Sequence, residues 1–377
     1  MTSAGTWRSI RALSTALARR RLCSGTDLVM KEVRVVGGSV TASRRATVFG
    51  AYGHTGRFVV RELRRRGWTP VLSGRDSERL RAAAQEHPRA EVRVAAVDDP
   101  ASLEAALAGS GVVINCAGPF IDTSLPIVDF AIRSGVHYLD VAAEQSAVLK
   151  VFDRFRGDPR VGGTVVVPAM AFFGGLGDLM ATTTMGDWDS ADEICVAVAL
   201  DGWRPTRGTR LTGQRNPGRR FVFSKGQLTL DDPPPRRRWT FPAPFGEQEV
   251  VGLPLAETIT MSRHIRTAEI RVLMNLAPLA DLRDPKTPPP AAVDESGRSS
   301  QVFLMDVIAR RGRHERRVIA RGRDIYAVTA PIVVEAAQRI AAGAIRTTGV
   351  VAAGEAFDAR DFLGSLDSAR QVAVTAA

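Results

Sequence analysis

Ala46-Thr47-Val48-Phe49-Gly50-Ala51-Tyr52-Gly53-His54-Thr55-Gly56 holds the strongest architectural signal in the chain. A short apolar run, Ala46 to Phe49, stops abruptly at a glycine. Gly50, Gly53 and Gly56 then form G-x-x-G-x-x-G. Behind them Phe58, Val59 and Leu63 lie at helical spacing. The pattern predicts a strand, a tight turn and a helix. One glycine makes the turn, one lets backbone approach a pyrophosphate, and one lets the helix pack closely on the strand. The helix start offers free N–H groups and the positive end of a dipole to phosphate oxygens. Gly50, Gly53 and Gly56, with Tyr52, His54 and Thr55 in the same turn, are the first cofactor-binding candidates.

The next strand, Pro70 to Ser73, runs into Gly74-Arg75-Asp76. An NAD-preferring site places an acid on the ribose hydroxyls about 20 residues past the glycine turn. Here Ser73 and Arg75 come first, and a guanidinium suits a 2′-phosphate, bidentate and charge-assisted. The expected cofactor is therefore NADP(H); the other role open to Arg75 is a solvated loop charge. Helices are expected at 80–84, 103–108 and 127–132, and strands at 92–97, 112–117, 137–141 and 164–167. Such alternation with short connections predicts a Rossmann-type, doubly wound parallel sheet. Ligands then sit beyond the carboxyl ends of the strands, near Asp98, Cys116 to Phe120, Ala142 to Gln145 and Pro168 to Asp178.

Gly50-Ala-Tyr-Gly-His-Thr-Gly56, Leu72-Ser-Gly-Arg75, Val113-Ile-Asn-Cys-Ala-Gly-Pro-Phe120 and His137-Tyr-Leu-Asp140 followed by Glu144 occur in that order. Together they resemble the saccharopine dehydrogenase-like NADP-binding family, which includes saccharopine reductases and trans-acting enoyl reductases. The resemblance covers roughly residues 46–180. It implies a nicotinamide-dependent reductase, with Gly50, Gly53 and Gly56 on the pyrophosphate and Ser73 and Arg75 on the 2′-phosphate. It also implies Asp98 near the adenine, and Ala117, Gly118, Pro119 and Phe120 near the nicotinamide ribose. In length and in its second half the sequence departs from saccharopine dehydrogenase proper.

From about residue 191 the texture changes. Residues 194–200, 257–261 and 269–274 are strand candidates. Pairs at 221–223 with 228–230, and at 302–309 with 316–320, read as hairpins. Residues 231–238 and 284–300 read as long loops. This predicts a second, α+β domain with a mostly antiparallel sheet, facing the cofactor and offering a homodimer surface. Thr329-Ala330-Pro331 signals a helix start, a capping hydroxyl followed by proline, and that helix is expected to return to the first domain. The expected organisation is an extension at 1–45, a dinucleotide-binding domain at 46–185, a substrate and dimerisation domain at 186–328, and a C-terminal helix at 329–377.

The 377 residues suit two domains, and 45% hydrophobic with 24% charged residues is globular composition. The net charge of +11 invites a nucleic-acid reading, but residues 1–45 hold nine of the basic residues and only two acids. The remainder, 42 basic and 38 acidic residues, is nearly balanced. Arg236 to Arg238 and Arg310 to Arg317 lack interleaved aromatics, so no nucleic-acid partner is expected. The Arg-, Ser- and Ala-rich start resembles an organelle transit peptide; a disordered tail or an upstream start codon explains it as well and is favoured. The longest uncharged run, Val161 to Gly177, contains Pro168 and five glycines, so no membrane span is expected. Three scattered cysteines point to a reducing, cytoplasmic setting.

None of the three tyrosines has a lysine four residues on, which argues against the proton relay of short-chain dehydrogenases. The histidines lack ligand-like spacing, so no metal is expected. Glu144, Asp140 and Cys116 remain as catalytic candidates. Glu144 leads because it follows a strand on the ligand side, although capping residues 145–150 is an equal role for it. Asp140 inside its strand reads more readily as structural, and Cys116 as a small buried residue. Gly174-Gly175-Leu176-Gly177-Asp178 opens another helix, whose N–H groups either bind an anion or are capped by Asp178. The functional expectation is an NADP(H)-dependent oxidoreductase that reduces an imine, carbonyl or activated alkene of a small metabolite. The alternative is an NADP(H)-binding sensor without catalysis.

Overall fold

A computed structural model describes residues 44–215, 219–231, 235–368 and 372–376. The expected extension lies outside them except at its end, where the first strand begins at Arg45. The first part of the chain lays down β1 (Arg45–Phe49), β2 (Thr69–Gly74), β3 (Glu91–Val94), β4 (Val112–Asn115), β5 (His137–Asp140) and β6 (Val165–Val167). They alternate with α1 (His54–Arg65), α2 (Ser77–Gln85), α3 (Pro100–Leu107), α4 (Phe120–Arg133) and α5 (Gln145–Phe155). Then follow α6 (Gly177–Met185), β7 (Ala191–Leu200), α7 (Arg207–Arg215), β8 (Arg220–Ser224), β9 (Gln227–Asp231), β10 (Arg237–Thr240) and β11 (Glu247–Gly252). After these come α8 (Ala256–Met261), β12 (Thr267–Asn275), α9 (Leu276–Arg283), β13 (Val302–Arg311) and β14 (His314–Arg323). The chain closes with α10 (Thr329–Ala341), β15 (Gly349–Val350), α11 (Ala353–Ala356), α12 (Ala359–Ser368) and β16 (Ala373–Ala376).

The first sheet is parallel throughout, in the order β15-β6-β5-β4-β1-β2-β3. Its central strands are apolar on both faces because helices cover both; Val48, Leu72, Val113 and Ile114 are all fully buried. From β1 the chain builds outward to β3, then returns to build β4 to β6 on the other side. That reversal leaves a crevice at the carboxyl ends of β1 and β4. The second sheet runs β10-β11-β12-β7-β13-β14-β16, with β8 and β9 attached to β12. Its pairs are antiparallel except β12 with β7. One face joins the large core shared with α6, α10 and the first sheet. The far face is closed by Trp239, Phe241 and Phe245 over Cys195, Ala197 and Leu304.

The expected hairpins are present, at β8–β9 and β13–β14. The expected return of α10 to the first sheet is present too. Glu62 of α1 and Arg66 at its C-cap pair at 2.7 Å, Glu335 and Arg339 of α10 pair at 2.8 Å, and Arg66 joins the two pairs through Glu335. Other expectations change. Residues 257–261 alternate like a strand but form α8, buried along its whole length; a short run enclosed on all sides carries no period that tells helix from strand. The loop expected at 231–238 gives way at its end to β10, because Trp239 finds cover that its arginine neighbours conceal in the sequence. Thr329 does not cap α10: its hydroxyl donates to Ile325 O at 2.9 Å and accepts Phe172 N–H at 3.2 Å. The strands expected at 92–97 and 112–117 end at Val94 and Asn115, and the helix expected at 127 begins at Phe120. Among the described residues no helix is long and apolar enough to cross a membrane.

Candidate functional site

A cleft of about 1290 Å³ opens at the carboxyl ends of β1, β2, β4 and β5. Its floor is the turn between β1 and α1. Gly50 N–H and Ala51 N–H both donate to Ser73 O, at 2.8 and 3.2 Å, which ties the turn to β2. Gly50 has φ +84°, and a Cβ there would lie 2.9 Å from Ala117 N. A Cβ on Gly56 would lie 2.3 Å from Gly50 O. Neither position accepts a side chain, so the turn and the first turn of α1 close into one cradle. α1 has no side-chain cap and no acid in its first turn, so its dipole end faces the cleft uncompensated. Tyr52, Gly53, His54 and Thr55 line this part. The cradle fits a pyrophosphate.

Arg75 is exposed at the end of β2 and lines the cleft. Arg79, one turn further on, stacks over the Tyr52 ring at 4.8 Å and lines it too. Asp76 lies between them, and its carboxylate caps α2 by accepting Arg79 N–H at 3.0 Å. The rim beside β2 is thus cationic. Asp98 lies on the same rim. Ser73, the other residue expected at the 2′-phosphate, is fully buried and does not line the cleft. Its hydroxyl is buried with no partner among the described residues, and only its carbonyl serves the site.

At the opposite end, the loop after β4 carries Cys116, Ala117, Gly118, Pro119 and Phe120 along the cleft wall. Asn115 shapes it, accepting Ala117 N–H at 3.0 Å and donating to Thr123 Oγ1 at 3.1 Å. Glu144 is 4% exposed and reaches across from the end of β5. Both its oxygens lie 3.1 Å from Phe120 N. It therefore caps α4, and not the α5 that begins beside it. Burial pushes its carboxyl up to about 7, helped by the charges of Asp140 and Asp122; hydrogen bonds from Thr212 and Phe120 oppose the rise.

The other catalytic candidates sit differently. Asp140 is buried and does not line the cleft. It accepts Tyr138 O–H at 2.8 Å, Ala142 N–H at 3.0 Å and Ala169 N–H at 2.7 Å. Burial pushes its carboxyl up against the pull of these hydrogen bonds; it is a joint between β5 and the segment after β6, out of reach of a ligand in the cleft. Cys116 lines the cleft, but burial pushes its thiol far up, so it stays protonated. The glycine run at 174–177 is buried and not open to a ligand. Gly174 N–H donates to Glu257 at 3.0 Å, so the anion expected there is this chain's own carboxylate. Asp178 does not cap its helix; it accepts Gly354 N–H at 3.1 Å and pairs with His264 at 2.9 Å.

One wall was not legible in the sequence. α7 crosses the cleft between its two ends, with Arg207, Thr209 and Thr212 on the lining. The Tyr326 hydroxyl holds its start, 2.9 Å from Thr209 Oγ1 and accepting Trp203 Nε1–H at 2.9 Å. Arg210 donates to Thr287 O at 2.7 Å. α7 buries no residue of its own and carries no apolar stripe, the signal that would have revealed it.

A doubly wound sheet with a glycine cradle and a cationic rim defines a dinucleotide-binding α/β protein. Residues 46–161 match the saccharopine dehydrogenase NADP binding domain. A probable mitochondrial saccharopine dehydrogenase-like oxidoreductase of Arabidopsis thaliana is 30% identical over 140 residues, 33% of this chain and 31% of that protein. A trans-acting enoyl reductase of Mycobacterium tuberculosis is 29% identical over 134 residues, 33% of this chain and 31% of that one. The match thus spans about a third of the length of these curated relatives. The structure of apo saccharopine dehydrogenase (L-Glu forming) from Saccharomyces cerevisiae superposes with a TM-score of 0.60 over 88% of this chain and 99% of that one. At 12% identity this likeness concerns the fold alone, including the pairing of a parallel sheet with a second, mixed sheet.

Proposed function

We propose that the protein is an NADP(H)-dependent oxidoreductase that reduces an imine, carbonyl or activated alkene of a small molecule. The observation that carries this reading is that the Gly50–Gly56 cradle and the buried Glu144 carboxyl share one cleft, at opposite sides of the β4 loop. The cradle and the dipole of α1 hold the pyrophosphate. Arg75, with Arg79 beside it, neutralises the 2′-phosphate. The Ala117–Phe120 loop lies along the nicotinamide ribose. When bound, the reduced nicotinamide supplies a hydride, and the protein supplies position and a proton. Glu144, protonated up to about pH 7, delivers that proton to the atom that gains charge. α7, with Phe172, Phe173 and Trp203 on the same lining, keeps water from the acceptor.

The test is calorimetry with NADPH and NADH on the purified protein, followed by NADPH consumption with a panel of imines, carbonyls and enoyl compounds. Submicromolar to micromolar binding of NADPH, weaker binding of NADH and turnover on one acceptor class are expected. No affinity for either nucleotide overturns the cofactor reading. Tight binding without turnover on any acceptor overturns the enzymatic half and leaves a nucleotide sensor.

A further inference from the structure

Arg220 opens β8 and lines the cleft. Its place along the cleft is fixed by its neighbour. Phe221 N–H donates to Gln145 Oε1 at 3.0 Å, and Gln145 Nε2 donates to Phe221 O at 2.8 Å. Gln145 follows Glu144 directly. Arg220 therefore stands at the Glu144 end, away from the Arg75 and Asp98 rim where the adenosine half belongs.

A half-buried guanidinium is ordinarily paired, since desolvation of an unpaired charge is costly. Among the described residues the Arg220 guanidinium has no hydrogen-bonded partner and no ion pair within 4.0 Å; its charged neighbour is Glu257. That carboxyl is a poor counter-ion. One of its oxygens takes Gly174 N–H and the other has no partner, and burial pushes it up to about 7, so it carries only part of a charge near neutrality. Arg220 is thus a desolvated cation whose compensation is incomplete, aimed into a cleft. The same cleft has an apolar part to its lining, Phe172, Phe173, Trp203, Phe221 and Leu255, with Phe173 and Trp203 stacked at 5.7 Å.

We propose that Arg220 is the receptor for one anionic group, a carboxylate or a phosphate, on a substrate whose remaining body is apolar. This deepens the reading above and rests on its placement of the substrate at the Glu144 end. A charge-assisted, bidentate contact fixes the head, and the aromatic wall takes the body.

The test is calorimetric titration of n-octanoate, n-octyl phosphate, acetate, inorganic phosphate and n-octanol into the wild-type chain and into Arg220→Ala and Arg220→Lys, with and without saturating NADPH. Octanoate or octyl phosphate is expected to bind the wild type, with affinity falling about 10- to 100-fold in Arg220→Ala and less in Arg220→Lys. Acetate, inorganic phosphate and octanol should bind far more weakly, and the stronger of the two octyl anions names the head group. The Arg220 side chain makes no hydrogen bond among the described residues, so NADPH affinity serves as the control and should be unchanged in both variants. Equal binding of the octyl anions to wild type and Arg220→Ala overturns the proposal, and so does their failure to bind the wild type. Loss of NADPH binding by the wild type sinks the cofactor reading instead, and the titrations without nucleotide still decide the anion site.

Discussion

Gly56→Ala is the sharpest probe of the cradle. The added Cβ would lie 2.3 Å from Gly50 O. An ordinary carbon–oxygen contact is about 3.3 Å or more, so the start of α1 has to move by about 1 Å. Overpacking of this kind costs about 1–3 kcal/mol, and the better helix propensity of alanine returns about 1 kcal/mol. The net loss of stability is therefore about 0–2 kcal/mol, and the variant should fold. Binding is hit harder. A shift of about 1 Å takes an N–H···O contact out of hydrogen-bonding range, and each charge-assisted bond lost costs about 1.5–3 kcal/mol. NADPH affinity should fall at least about tenfold for each such bond. Gly67→Ala is the control. It lies at the other end of α1, at φ +75° and with nothing within 4 Å of the new Cβ, so it carries backbone strain of about 1–2 kcal/mol without touching the cradle. Urea unfolding and NADPH calorimetry on the three proteins separate the effects. If folded Gly56→Ala binds NADPH like the wild type, or Gly67→Ala loses as much affinity, the cradle has no part in nucleotide binding.

Arg75→Ala should weaken NADPH by about 10- to 100-fold and NADH hardly at all, measured by calorimetry; equal losses would rule out a contact with the 2′-phosphate. The rate of NADPH consumption should fall as pH rises through about 7, where Glu144 loses its proton, and Glu144→Gln should lower the rate and abolish that limb. The same carboxyl is raised from an ordinary 4.5, so the folded state holds the proton more tightly than the unfolded one. Its contribution to stability is present at acid pH and is lost between about 4.5 and about 7, and denaturation of Glu144→Gln across that window should show a shallower fall. Glu335→Ala removes the carboxylate that Arg66 and Arg339 share, each only 10–11% exposed at the side chain, and leaves them to Glu62 and Asp361. It should cost about 3 kcal/mol in unfolding experiments, and a loss below about 1 kcal/mol would show that water already screens the network.

The first sheet was legible residue by residue because its signals are local. An apolar run, a glycine and a helical stripe lie within about a dozen positions of one another, and steric rules read them directly. The Gly50–Gly56 cradle, Arg75, the 117–120 loop and Glu144 followed from that frame, since strand ends in such a sheet must face the ligand. Ser73 did not follow, because a strand's last residues alternate between cleft and core, and only the register with β1 says which side a hydroxyl takes. Nor did α8, α7 or the unpaired guanidinium of Arg220. The length of α8 is too short for a period, α7 has no apolar face, and a guanidinium looks the same in sequence whether solvated or stranded.

Residue order alone carried the parallel architecture and the nucleotide cradle, because both depend on neighbours along the chain and on glycine's missing side chain. Which carboxyl keeps a proton, which anion fills the glycine run at 174–177 and which arginine stands without a full counter-charge depend on burial by distant segments. Burial changes the free energy of a charge by several kcal/mol, and it arises only when those segments pack.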